Sequence, residues 1–216
     1  MLLRVDLDNT LVDRAWAFDQ GAKEFVQRLG RPRRDADWLI GADRDGYESR
    51  LSLAGQMKIK FGLNHDIAAL VQILLFEHVD LMSMDARNLQ ALEAAREAGW
   101  RVGIVTNGAT AQQTRKIDLL GLEEYVDAIV ISEEVGVSKP EREILQIAAQ
   151  RLDTDLDDGW MVGDHPVADI LGGRNAGLRT GWVSRGTPWS RDDAIPTLTG
   201  LTAADVIAEV MRRASR

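Results

Sequence analysis

The chain has 216 residues, enough for one large domain or for a core with an insertion, and either can bury a sizeable apolar core. Lys and Arg number 26 against 34 Asp and Glu; the formal net charge of -8 opposes non-specific binding to nucleic acid or anionic membranes, while a small anion could still sit at a local cationic site. The absence of cysteine excludes a disulfide framework, thiolate zinc sites and cysteine nucleophiles.

The first element is the run LLRV, read as a buried strand, and DLDNTLVD follows it with three aspartates inside eight positions, Asp6, Asp8 and Asp13. Asp13 suits a helix cap as well as a substrate contact and stays outside the catalytic set. Residues 15–29 place Trp16, Phe18, Phe25, Val26 and Leu29 among polar residues in a helical pattern. The basic run RPRR at 31–34 reads as a solvated loop. Residues 66–76 form a strongly apolar helix, the spine of a helical domain or, alternatively, a dimer surface. Trp16, Trp38 and Tyr47 read as core of that domain, with stacking on a nucleobase as the alternative. His65 falls at a helix start and His78 near a helix end, so three histidines in all give no support to a histidine metal site.

Residues 85–98 carry Leu89, Leu92 and Ala95 on one helical face, and Gly99 behind them leads into the strand run RVGIVTNG. A helix at 110–120 stops at Gly121. Then come AIVISEEVGVSKP, a helix at 140–152 with Pro140 in its first turn, WMVGD, a helix at 166–176 ending at Gly177, and TGWVS. The last helix, 202–211, opens on TAAD, a capping box with Asp in place of Glu. Near-continuous Val, Ile and Trp runs fit strands covered on both faces. Strand and helix alternate except between Val5 and Val102, where no convincing strand appears. The expected fold is therefore α/β: a doubly wound, mostly parallel, five-stranded core of residues 1–13 and 83–216, with 14–82 inserted as a helical domain. No run approaches a membrane span and no basic stretch leads into an apolar signal segment, so a cytoplasmic protein is expected.

In an open parallel sheet, ligands bind beyond the C-terminal strand ends. The polar residues fall there: Asp6 and Asp8 after the first strand, Thr106 and Asn107 after the second, Lys139 after the third, Asp164 and Asp169 after the fourth. Clustered carboxylates repel one another unless a divalent cation sits among them, and hard oxygen donors of this kind suit Mg²⁺. Such an ion would attract a phosphate, Lys139 would neutralise another oxygen, and the Thr106 hydroxyl with the N–H groups of Asn107 and Gly108 could hold the rest. Taken singly, Lys139 would be a solvated loop lysine and Thr106 a helix cap. Their order along the chain selects the phosphate reading.

DLDNTLVD, IVTNG, GVSKP and GDHPVAD together resemble the four ordered motifs of the haloacid dehalogenase (HAD) superfamily, and the insertion after the first resembles its helical C1-type cap. The stretch YVDAIVISEEVGVSKP, with MVGD and DILGGRNAGL, is most similar to the pyrimidine 5'-nucleotidase and N-acylneuraminate-9-phosphatase branch. The resemblance implies that Asp6 attacks phosphorus to form an aspartyl-phosphate, and that Asp8 protonates the leaving oxygen and then activates water. It implies Mg²⁺ on the Asp6 carboxylate, the Asp8 carbonyl and Asp164, with Asp169 supporting the metal waters or Lys139. Asn9 stands where glycine is frequent, and the role of His165 is open. The implied function is Mg²⁺-dependent hydrolysis of a small phosphorylated metabolite, a nucleoside monophosphate or a sugar phosphate. A phosphomutase would keep the same core groups, whereas a haloacid dehalogenase would not need Asp8. A receiver-type phospho-acceptor module would place an acceptor aspartate at the third strand, where this chain has only glutamates. A non-turnover binding module would be expected to lose one of these groups.

Overall fold

LLRV forms β1 (Leu2–Val5), buried along its whole length and paired in parallel on both sides, with β2 (Arg101–Thr106) and β4 (Gly159–Gly163). That central position is why the run shows no polar alternation: both of its faces are covered. The computed structural model of the chain describes residues 1–156 and 159–214. With β3 (Ala128–Ile131), β5 (Arg179–Val183) and β6 (Leu198–Gly200), the sheet has six strands in the order β3-β2-β1-β4-β5-β6, and every pairing is parallel. The expected five strands are thus one too few. The sixth, Leu-Thr-Gly, is a short edge strand in which only Leu198 is buried, so it leaves no apolar run to read. The winding reverses at β1, which opens the crevice at its C-terminal end.

Two compact units make up the chain, Met1–Val12 with Met84–Arg216 and Asp13–Ser83. In chain order the second contains α1 (Arg14–Arg28), α2 (Arg34–Asp43), α3 (Arg50–Phe61) and α4 (Ile67–Phe76); the first contains α5 (Ala86–Glu97), α6 (Thr110–Leu119), the single turn α7 (Ser132–Val135), α8 (Arg142–Arg151), the short α9 (Gly172–Asn175) and α10 (Ala203–Ala214). Ile144, Leu145 and Ala148 of α8 cluster with Val105, Val130 and Met161 of the sheet. On α10, Val206, Ile207 and Val210 are buried, and a Cβ at Gly181 would come within 2.4 Å of Val206 Cγ1. Only glycine lets this helix lie so close to the strand.

Local chemistry explains several helix starts. Asp13 accepts from the Trp16 N–H and Asp66 from the Ala69 N–H, while Thr202 and Asp205 exchange bonds as a capping box. Two expected helices differ. The one expected at 140 starts at Arg142 behind an N-cap at Glu141, because Pro140 belongs to the preceding turn. The one expected at 166–176 begins as a π-helical segment, Pro166–Leu171, capped by His165, whose Nδ1 accepts from the N–H groups of Val167 and Ala168. Among the described residues no helix is long and apolar enough to cross a membrane.

Phe18, Phe25, Leu53, Met57, Phe61, Leu70 and Leu74 form the core of the helical unit. Trp38 joins it edge-on to Phe61 at 5.4 Å, whereas Trp16 and Tyr47 are exposed. Arg31, in the basic run, bonds Asp35 and the Phe61 carbonyl, and Arg33 and Arg34 face solvent. His78, expected near a helix end, is buried against the Phe18 ring.

The same unit buries a charge cluster. Asp43, 1% exposed, receives bonds of 2.7 and 3.0 Å from Arg14 and lies 2.7 Å from Arg50. Burial alone would raise its carboxyl, but the two guanidinium groups more than offset that and hold it below the usual carboxylate range. With its folded value depressed, Asp43 contributes stability above its ordinary value of 3.8 and loses it as the pH falls through the folded value. Asp43→Asn is therefore expected to cost about 3–5 kcal/mol in urea unfolding near neutral pH. The deficit relative to the wild type should shrink in strong acid.

Candidate active site

Asp6 continues β1, donating its N–H to the Val162 carbonyl at 2.9 Å, so the sheet itself aims its carboxylate past the strand ends. Lys139, buried, places Nζ 2.6 Å from Asp6 Oδ1 and 2.7 Å from Asp169 Oδ1. Its loop is pinned to the end of β2: Asn107 donates to the Lys139 carbonyl and accepts its N–H, both at 2.9 Å. Asp169 accepts the His165 N–H on Oδ2 at 2.9 Å. A Cβ at Gly163 would fall 2.2 Å from that same oxygen, so the glycine ending β4 is the space Asp169 occupies.

Asp164 lies on the same side, its Oδ1 3.4 Å from the Thr10 hydroxyl and its Oδ2 3.5 Å from Arg185 Nη1, while its carbonyl accepts from the Trp182 indole. One carboxylate oxygen from each of Asp6, Asp164 and Asp169 falls within 4.8 Å of the others. Asp8 turns toward α6: Lys116 Nζ lies 2.8 and 2.7 Å from its two oxygens, and Gln113 Nε2 is 3.1 Å away. The Thr106 hydroxyl also accepts from Gln113, at 2.6 Å, and the Gly108 N–H donates to Ser132 Oγ at 3.0 Å. Asn9, between the two acidic positions, has a φ of 60°, a left-handed conformation that glycine and asparagine tolerate best.

Asp6, Lys139, Asp164 and Asp169 thus come together as the motif order anticipates, Thr106 and Asp8 share Gln113, and Asn107 holds the Lys139 loop. Sequence reading missed Gln113, Lys116 and Arg185. The signal for two of them was present. In α6 the stripe of positions 113, 116 and 117 faces inward, and only Ile117 of the three is apolar. A buried stripe that carries an amide and an ammonium one turn apart has a polar counterpart on the facing strands.

Residues 5–183 match the haloacid dehalogenase-like hydrolase family. The chain belongs to that family. It is 42% identical over 100 residues, 46% of its length, to the pyrimidine 5'-nucleotidase YjjG of Escherichia coli K12, of which the match spans only 44%. It is 30% identical over 193 residues, covering 81% of both chains, to the ribulose-1,5-bisphosphate 5-phosphatase of Halopiger xanaduensis. The solved structure of the 2-haloacid dehalogenase from Pseudomonas syringae superposes with a TM-score of 0.67 at 22% identity, covering 98% of each chain. The HAD fold accommodates both chemistries, so side chains rather than topology must decide between them.

Electrostatics at the centre are strained. Burial pushes the Asp6 carboxyl up to about 7; Lys139 opposes the shift, and the nearby Asp169 and Asp8 add to it. Burial works to lower the Lys139 ammonium, but Asp169 and Asp6 more than offset it and hold the group above the ordinary lysine range. A carboxyl whose folded value is raised favours the folded state when protonated, so the ionised Asp6 destabilises the chain fully above about 7 and not at all well below its ordinary 3.8. Without added divalent cation, Asp6→Asn should therefore melt a few degrees higher than the wild type at alkaline pH. That advantage should fade toward acid pH in thermal scans.

Proposed function

We propose that the chain is a Mg²⁺-dependent phosphatase that hydrolyses a small phosphate monoester through an aspartyl-phosphate on Asp6, and that it works in the cytoplasm. The observation that carries this reading is the meeting of Asp6, Asp164 and Asp169 around one point with Lys139 beside it. A set of hard carboxylate oxygens this close fits Mg²⁺, which would be held by the Asp6 carboxylate, the Asp8 carbonyl and Asp164. When bound, the ion would neutralise the carboxylates and the incoming phosphate charge.

The chain's own groups carry the steps. Lys139, fixed between Asp6 and Asp169, keeps the nucleophile oriented and offers its charge to a phosphate oxygen. The Thr106 hydroxyl and the Asn107 N–H receive the remaining oxygens at the end of β2, together with the Gly108 N–H once it leaves Ser132 Oγ. Asp6 forms a bond to phosphorus as the bond to the leaving oxygen breaks, and Asp8 gives that oxygen a proton. Asp8 then takes a proton from water as the water attacks the phosphorus of the acyl phosphate, releasing inorganic phosphate and restoring Asp6. Asp169 holds Lys139 in register. The helical unit inserted between Val12 and Met84 is assigned the role of a cap that excludes bulk water and selects the leaving group.

Nucleoside monophosphates and sugar phosphates come first among the candidate substrates, a reading supported by the similarity to a nucleotidase and to a ribulose-1,5-bisphosphate 5-phosphatase. A haloacid dehalogenase would leave Asp8 without a task. A screen of phosphate esters with and without Mg²⁺ should show cation-dependent release of inorganic phosphate for one ester class, and Asp6→Asn should lose activity by on the order of 10⁴-fold. Turnover that survives this substitution would remove Asp6 as nucleophile.

A further inference from the structure

α6 buries three polar side chains that the reaction as described does not use, Gln112, Gln113 and Lys116, and the last two reach the site. Gln113 is 0% and Lys116 1% exposed. An ammonium is costly to bury unless its partners are close and well placed. Lys116 bonds both oxygens of Asp8, at 2.8 and 2.7 Å, and Gln113 Oε1 at 2.7 Å. Because an ammonium only donates, the Gln113 carbonyl must face it, and that fixes which way the amide nitrogen points. The nitrogen donates to Thr106 Oγ1 at 2.6 Å and lies 3.1 Å from Asp8 Oδ2.

The consequence reaches two groups at once. A hydroxyl that accepts from Gln113 turns its own hydrogen elsewhere, and the Asn107 carbonyl, at 3.5 Å, is too far for a strong bond. The Thr106 hydrogen is thus left for an incoming oxygen. Asp8 sits in the irregular segment after β1, with 22% of its side chain exposed, so nothing in a strand fixes its rotamer. Two charge-assisted bonds from an immobile ammonium do. Gly108 makes the arrangement sterically possible, since a Cβ there would fall 3.0 Å from Gln113 Cδ at a φ of 148°.

We propose that Gln113 and Lys116 are positioning residues for this chemistry: α6 sets the direction of the Asp8 carboxylate and, through the same amide, that of the Thr106 hydroxyl. The inference rests on the phosphatase reading above. During turnover the proton passes at one Asp8 oxygen while Lys116 keeps the other. Lys116 therefore acts on the departure of the alcohol more than on the binding of phosphate.

Aryl phosphates separate this role from general structural support. The ratio kcat/KM covers the steps up to release of the alcohol, and p-nitrophenolate leaves with little help from a proton, whereas phenolate needs one. With Mg²⁺ present, Lys116→Met should lower kcat/KM for phenyl phosphate by about 100-fold and for p-nitrophenyl phosphate by less than about 10-fold, mostly in kcat. Equal losses for the two esters, or no loss for either, would overturn the proposal. Should Lys116→Met fail to fold, as judged by its thermal transition, Lys116→Gln keeps one donor and is read by the same comparison. A wild-type chain that hydrolyses no phosphate ester overturns the phosphatase reading and this proposal with it, whereas an active wild type with equal losses removes only the role given to α6.

Discussion

The ammonium of Lys139 is the interaction on which the site depends. It is buried, it lies between Asp6 and Asp169, and each of those carboxylates is delivered by a different part of the chain. Without it Asp6 and its acidic neighbours would be like charges crowded together in poorly solvated surroundings. With it, strand ends more than a hundred residues apart in sequence are drawn to one point, and the raised Asp6 carboxyl records what repulsion and desolvation remain.

The rest of the site follows from keeping that ammonium in place. Asn107 ties the Lys139 loop to β2 by two bonds from its side-chain amide to the Lys139 backbone. Gly163 leaves the volume that Asp169 fills, and the His165 N–H holds the far oxygen of that carboxylate. The His165 imidazole, in turn, caps the segment that carries Asp169. Its contact with the site thus runs through the segment that carries Asp169. A second cation, Lys116, organises the other side of the site through Asp8, so Asp6 and Asp8 answer to different lysines.

Legibility in the sequence varied with the kind of residue. Strand-end aspartates and the loop lysine stood out because their positions relative to apolar runs are local features. The same was true of the caps at Asp13 and Thr202, whose bonds span three residues. Gln113 and Lys116 were harder, because a polar residue on a helix looks solvated until the packing shows which face is turned inward. Trp38 and Trp16 differ in the same way: similar patterns place one in the core and the other in solvent. The edge strand β6 escaped notice because a strand with one covered neighbour needs no continuous apolar run.

Sequence alone determined the α/β alternation, which depends on periodicity, and it raised the helical insertion and the polar groups at strand ends as expectations from chemistry within a few positions. Only the tertiary structure decided the sixth strand, the start of α8 after Pro140, the π-helical entry to Asp169 and the pairing of Asp8 with Lys116. Those outcomes depend on which faces meet and which buried charges find partners, quantities fixed by packing between segments far apart in the chain.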